Sequence, residues 1–442
     1  MMTKLFGYTM AVLCAAMMLV ACHKSYPGLY GTVYDVDNPN PEVLIDRLPV
    51  MLSLTDPLYA LATAKRGSGA FGFWEDTANR SHWLNARFGI YAFMASDYDY
   101  STSSSLAVTN EPYCLSDGLK ARITNACELV WDGNVQPYYP VEHPDYKYNF
   151  FLYYIEDEED GCVESTDRTA TTIVKHVHID GTQDLISAYA RPQMEDVEQL
   201  EDYNDDVMYL LNHSGDLVYS GRTAKLHIDP HFRLSHQMAK LSIKATMAAD
   251  DLEGNTPADP YHRHIELESV GIKVPTRGSF VVARAWNGVQ ADWNDESRLP
   301  DLGVTWDMTS YETIYVPSRA SQPYGTSFSE ADSRLTPVVA VPPYGQGTVP
   351  VGRPLLVPPV SRVGFVINYL YYSDDPTEAV VNGQRIRVES AVTTMSGGSS
   401  MKAGYEHELL LKVYGLRRIE LYLDGMGIAW KDGGDVPVVG ED

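Results

Sequence analysis

Apolar residues recur at every second position in short runs along most of the chain, the period of a strand with one face on a core. In ARFGIYAFMA, Phe88, Ile90, Ala92 and Met94 share one face, and Gly89, Tyr91 and Phe93 share the other. The same alternation is legible in YNFFLYYIE (148–156), AKLSIKATM (239–247), HIELESVGIKV (264–274), VGFVINYLYY (363–372), HELLLKVYGL (407–416) and RIELYLDGM (418–426). Gly, Pro, Asp or Asn bound each run, as turns require. No stretch sustains apolar spacings of three and four. The pattern predicts an all-β chain of antiparallel β-sandwiches, with one helical insertion at PQMEDVEQLEDYNDDVMYLL (192–211).

The beginning of the chain breaks this pattern. Lys4 precedes an uncharged run from Leu5 to Ala21, and Cys22 follows it at once. The run is short for a membrane-spanning helix and has a charge on one side only. A basic start, an apolar core and small residues at the end are the parts of a secretory signal. Leu19-Val20-Ala21-Cys22 resembles the bacterial lipobox, in which the cysteine is acylated and becomes the first mature residue. Residues 1–21 therefore read as a lipoprotein signal peptide, and 22–47 as a tether to an outer-membrane lipid at acylated Cys22. The 442 residues exceed one compact core and suit two domains. The acidic, weakly alternating stretch 191–221 marks the boundary, giving sandwiches over 48–222 and 223–442.

Charge and chemistry narrow the function classes. With 34 Lys+Arg against 59 Asp+Glu, the net charge is −25, which repels nucleic acid and anionic membrane surfaces. Cys114, Cys127 and Cys162 are odd in number and fit no zinc spacing; a Cys114–Cys127 disulfide is one option in an oxidising compartment. His176/His178 and His262/His264 lie two apart on strands, so each pair shares a face, but neither has a third metal ligand in its motif. IEDEEDGC (155–162) lacks the intervals of a calcium loop and reads as a solvated acidic loop. No nucleophile elbow, zinc-protease helix motif, P-loop or dinucleotide fingerprint is present. A non-enzymatic chain without cofactor or metal is expected. Trp286, Trp293 and Trp306 are the candidate stacking residues of an alternative, a glycan-binding surface lipoprotein.

Several ordered stretches resemble one family. VMLSLTDPLYALATAKRGSGAFGF (50–73) is followed by WLNARFGIYAF (83–93), YNFFLYYIE, IDGTQDLISAYA (179–190) and FRLSHQMAKLSIKA (232–245). The order is similar to that of the fimbrillins, lipoprotein subunits of fimbriae in Gram-negative gut and oral bacteria. The ending, MKAGYEHELLLKVYGLRRIELYLDGMGIAWKDGGDV (401–436), is similar to the family's last strands and tail. The resemblance implies two transthyretin-like sandwiches and a cell-surface fimbrium built with other fimbrial subunits. It also implies a trypsin-like surface protease that cuts after an arginine behind the first strand. That strand then leaves and a neighbour's strand replaces it, a form of β-augmentation. Val50, Leu52 and Leu54 alternate with Met51 and Ser53 and form the candidate displaced strand. Arg66, beside Gly67-Ser68-Gly69, is the expected cleavage site; Arg47, in front of the strand, is the alternative. The candidate donor tail carries Ile428, Trp430, Val436 and Val438, although Gly433-Gly434 and Pro437 interrupt it.

Overall fold

The computed structural model describes residues 48–54, 81, 83–95, 105–126, 128–143, 146–190, 219–225, 228–248, 262–285, 301–316, 335, 338–377, 383–394, 400–413 and 419–429, the last for its backbone. The expected signal, tether and helical insertion lie outside these residues. Within them the fold is all-β, as the alternation predicts.

Sheet I has the strand order Ser235–His236, Leu185–Tyr189, Tyr148–Ile155, Phe88–Met94, Cys114–Ile123, Leu129–Trp131, with every neighbour antiparallel. Phe88–Met94 and Tyr148–Ile155 are buried along their whole length, so both faces of this sheet are covered. One face carries Tyr91, Phe93, Phe151 and Tyr153, and the Tyr91 ring stacks on those of Phe93 and Tyr153. This face meets sheet II, ordered Val304–Trp306, Arg277–Arg284, Thr172–His178, Val163–Arg168. The opposite face carries Phe88, Phe150 and Tyr154, against which Trp83 and Tyr219 pack. Gly89 is required where it stands: a Cβ there would lie 2.1 Å from Cε1 of Tyr153, whose ring crosses over it.

Sheet III runs Val349–Pro350, Ala239–Met247, Tyr405–Val413, Ile419–Ala429, with Leu355–Val357 also on Ala239–Met247. Its central pair, Ala239–Met247 and Tyr405–Val413, is parallel over Lys240↔Glu406 to Met247↔Val413. Sheet IV runs Tyr311–Tyr315, His264–Pro275, Arg362–Tyr372, Gln384–Glu389. The apolar sides of III and IV, including Leu241, Ile243, Leu409, Ile265, Leu267 and Tyr369, join the same continuous core as sheets I and II.

Strand pairing crosses the expected boundary at 222/223. The chain leaves sheet IV at Pro275, passes the buried Thr276 and enters sheet II at Arg277. It returns through Val304–Trp306 to Tyr311–Tyr315 in sheet IV. Sheet II is thus half built from the second part of the chain. At the expected boundary the chain forms one helical turn, Gly221–Lys225. Ser220 and Thr223 cap it: the Ser220 N–H donates to Thr223 Oγ1 at 2.8 Å, and the Thr223 N–H donates to Ser220 Oγ at 3.3 Å.

Candidate functional site

The candidate displaced strand is seated among loops beside sheet I. Val50 is fully buried, and Leu52 and Leu54 nearly so, while Met51 and Ser53 between them are half-buried. The alternation read from the sequence is therefore realised: three side chains enter the core from one short segment. Its backbone is held less continuously than a sheet strand. Pro49 bridges antiparallel to Tyr138, with the Tyr139 N–H donating to Leu48 O and the Val50 N–H to Pro137 O, both at 2.9 Å. Four residues on, Ser53–Leu54 pairs in the parallel sense with His231–Phe232, and the Ser53 N–H donates to Pro230 O at 2.9 Å. Side chains add to this. Trp131 Nε1–H donates to Val50 O at 2.7 Å, Gln136 Nε2 donates to the same oxygen at 3.0 Å, and Ser53 Oγ lies 2.6 Å from His231 Nδ1. The segment is an apolar plug with scattered polar fastenings, pairing with two different stretches in opposite senses.

Sequence reading did not single out Trp131, Gln136, Pro230, His231 or Phe232. They lie about 80 and 180 residues from their partners, and no local period marks them. Cys22, Arg47, Arg66, Trp430, Val436 and Val438 lie outside the described residues. Ile428 is the only donor-tail candidate whose backbone is described; it sits opposite Glu406 in sheet III, near the end of Ile419–Ala429. Ile419–Ala429, the last strand among the described residues, is thus already paired within its own chain.

The other candidates that the structure describes make contacts within the fold. His176 Nε2 lies 2.9 Å from Asp167 Oδ2, and His178 Nε2 lies 3.3 Å from Glu312 Oε2. His262 meets Asp374 at 3.1 Å, and the His264 ring stacks on Tyr372. Among the described residues no group of three His, Cys, Asp or Glu is placed to hold a metal ion. Cys114 and Cys162 are buried and free; Cys127, the other half of the expected Cys114–Cys127 option, lies outside the described residues. Burial pushes both thiols up to about 12, which keeps them protonated and unreactive. Trp286 and Trp293 are outside the described residues, and Trp306 is half-buried over Gly278.

The acidic run 155–162 departs from a plain solvated loop. Glu159 and Asp160 face water, but Glu156 is buried and accepts the Asp184 N–H at 3.1 Å. Burial and the nearby Asp184 carboxyl push Glu156 well above the usual carboxylate range. Glu158 turns inward to Lys120 and Lys175, at 2.6 and 2.7 Å. Lys175 is the physical reason: the strand Thr172–His178 points Ile173, Lys175 and Val177 into the core, and the buried ammonium needs an anion.

No protein-family model and no curated protein matches the sequence. Among solved structures, the chain is similar to a protein from Bacteroides uniformis provisionally assigned to cell adhesion, at 12% identity and a TM-score of 0.38, covering 87% of this chain and 99% of that one. A protein from Bacteroides eggerthii with the same provisional assignment aligns at 9% identity and a TM-score of 0.40, covering 87% and 96%. The fimbrial anchor protein Mfa2 from Porphyromonas gingivalis aligns at 12% identity and a TM-score of 0.27, covering 78% and 90%.

Proposed function

We propose that this chain is a non-enzymatic, adhesive or structural fimbrial subunit, exported as a lipoprotein acylated at Cys22 and assembled with related subunits by strand exchange. The observation that carries the reading is the segment 48–54. It buries three apolar side chains while its backbone is fastened at separated points, so a cut in the following chain leaves a plug that a competing strand can replace. The lipobox-like Leu19-Val20-Ala21-Cys22 and the ordered fimbrillin-like stretches support the same reading. A trypsin-like surface protease cutting after Arg66 frees the plug, and a neighbour's tail, with candidates Ile428, Trp430, Val436 and Val438, is the incoming strand, Ile428 first having to leave its partner Glu406 in sheet III. Removing a packed plug exposes apolar surface before its replacement docks, so the exchange is slow unless the donor is already at hand.

Limited trypsin treatment of the purified chain, followed by mass spectrometry and size-exclusion chromatography, tests this. The expected result is a first cut after Arg66 and, with a peptide spanning residues 427–442 present, loss of residues 48–54 from the folded body. An unchanged monomer that keeps its first segment would refute the stalk-type exchange. In cells given labelled fatty acid, the Cys22→Ala variant should lose the label, since stable anchoring needs the acyl chains.

A further inference from the structure

We infer that Trp131 and Gln136 form a carbonyl clamp that sets the register of whatever strand occupies the 48–54 site. The inference about an incoming strand rests on the exchange reading above; the clamp on the chain's own segment does not. Around the Pro49↔Tyr138 bridge, the antiparallel pattern makes Val50 and Pro137 a hydrogen-bonded pair, in which each residue should donate to the other. The Val50 N–H does donate to Pro137 O at 2.9 Å. Pro137 has no N–H to return, so Val50 O loses its backbone donor in a region closed to water. Two side chains replace it: Trp131 Nε1–H at 2.7 Å and Gln136 Nε2 at 3.0 Å. Gln136 also donates to Pro137 O at 3.1 Å, which fixes its amide against the same loop. Trp131 is buried at the end of the edge strand Leu129–Trp131, so its indole is aimed by sheet I and not by the occupant.

This arrangement selects register because its parts are a fixed distance apart. An occupant must offer, at one residue, an N–H for Pro137 O, a carbonyl for both side-chain donors, and an apolar side chain for the enclosed space that Val50 fills. Sliding by one residue turns the side chain to the opposite face. In this chain it also brings Pro49, which has no N–H, to one neighbouring position. Trp131 and Gln136 are thus positioning residues for the exchange.

The first arm of the test uses the intact chain. Hydrogen exchange by mass spectrometry compares wild type with the Trp131→Phe/Gln136→Leu variant, and with Gln136→Leu alone in case the double change disturbs folding. Faster exchange confined to residues 48–54 is expected. Exchange that is unchanged, or raised equally across sheet I, would overturn the clamp. The second arm uses the chain cut by trypsin and a fluorescent peptide of residues 46–56, with and without the Val50 carbonyl (an alkene replacing the Val50–Met51 amide). Wild type should bind the carbonyl-free peptide roughly 10- to 100-fold more weakly, the loss of two buried hydrogen bonds. The double variant should not distinguish the two peptides, whereas an equal loss in both proteins would refute the clamp. If wild type exchanges neither peptide, the strand-exchange reading fails, and the first arm still decides whether the clamp exists.

Discussion

Replacing Glu158 by Gln tests whether the packing between sheets I and II depends on an ion pair. Glu158 accepts from Lys120 at 2.6 Å, from Lys175 at 2.7 Å and from the Tyr153 hydroxyl at 3.1 Å. Lys175 and Glu158 side chains are 10% and 17% exposed, and Lys175 Nζ stands 4.9 Å from the Tyr153 ring centroid. Glutamine keeps the shape and an acceptor oxygen but leaves the Lys175 ammonium without an anion. Removing one partner of a buried pair costs about 3–5 kcal/mol; Lys120, more exposed, stays hydrated, so about 2–4 kcal/mol is expected here. Urea unfolding followed by the fluorescence of the core tryptophans at pH 7 reads this loss. Adding Lys175→Met to Glu158→Gln should recover part of it, because the stranded charge is then gone. The acid side gives an independent check. Burial raises the Glu158 pKa, but the hydrogen bonds and charges of Lys120 and Lys175 outweigh it, so the folded value is lowered. The stabilisation is therefore complete above the unfolded value of about 4.3 and is lost as pH falls through the folded one. Wild type should lose its advantage over the Gln variant in that window. A Gln variant within about 0.5 kcal/mol of wild type at pH 7, inside the range of ordinary surface changes, would refute the reasoning.

Two further outcomes follow from single contacts. His407 is buried in sheet III and its Nε2 accepts the Lys402 N–H at 2.9 Å, while burial lowers its pKa; protonation breaks that bond. Its folded value lies below the unfolded one near 6.5, so the unfolded state binds the extra proton and stability falls as pH drops below about 6.5. Thermal unfolding of His407→Gln across this range should show a shallower slope than wild type. Gly89→Ala drives a methyl group into the Tyr153 ring at 2.1 Å and should lower stability by about 1–3 kcal/mol by the same urea assay; a neutral result would mean the ring moves freely.

The strands themselves were legible in the sequence. Alternation marked Phe88–Met94, Tyr148–Ile155, Ala239–Met247 and Arg362–Tyr372, because each lays side chains on a sheet with at least one buried face, and the period of two survives in any register. It also marked Val50, Leu52 and Leu54 as the buried side of the first segment. Partners were not legible. The parallel pairing of Ala239–Met247 with Tyr405–Val413, and the passage of the chain from sheet IV into sheet II at Thr276, join residues about 100 or more positions apart. Periodicity states which face of a strand is apolar but not which strand lies beside it. The same limit hid Trp131 and Gln136, whose role exists only because Pro137 deletes a donor opposite Val50. Glu158 read as part of a solvated acidic loop and became half of an interior pair with Lys175, which no motif marked, because folding brought a carboxylate from a turn to a lysine on an inward-facing position. Sequence determined the elements and their buried faces, since these depend on neighbours along the chain. Tertiary structure decided pairing, burial of charge and the fastening of the first segment, since these depend on groups that meet only when the sheets assemble.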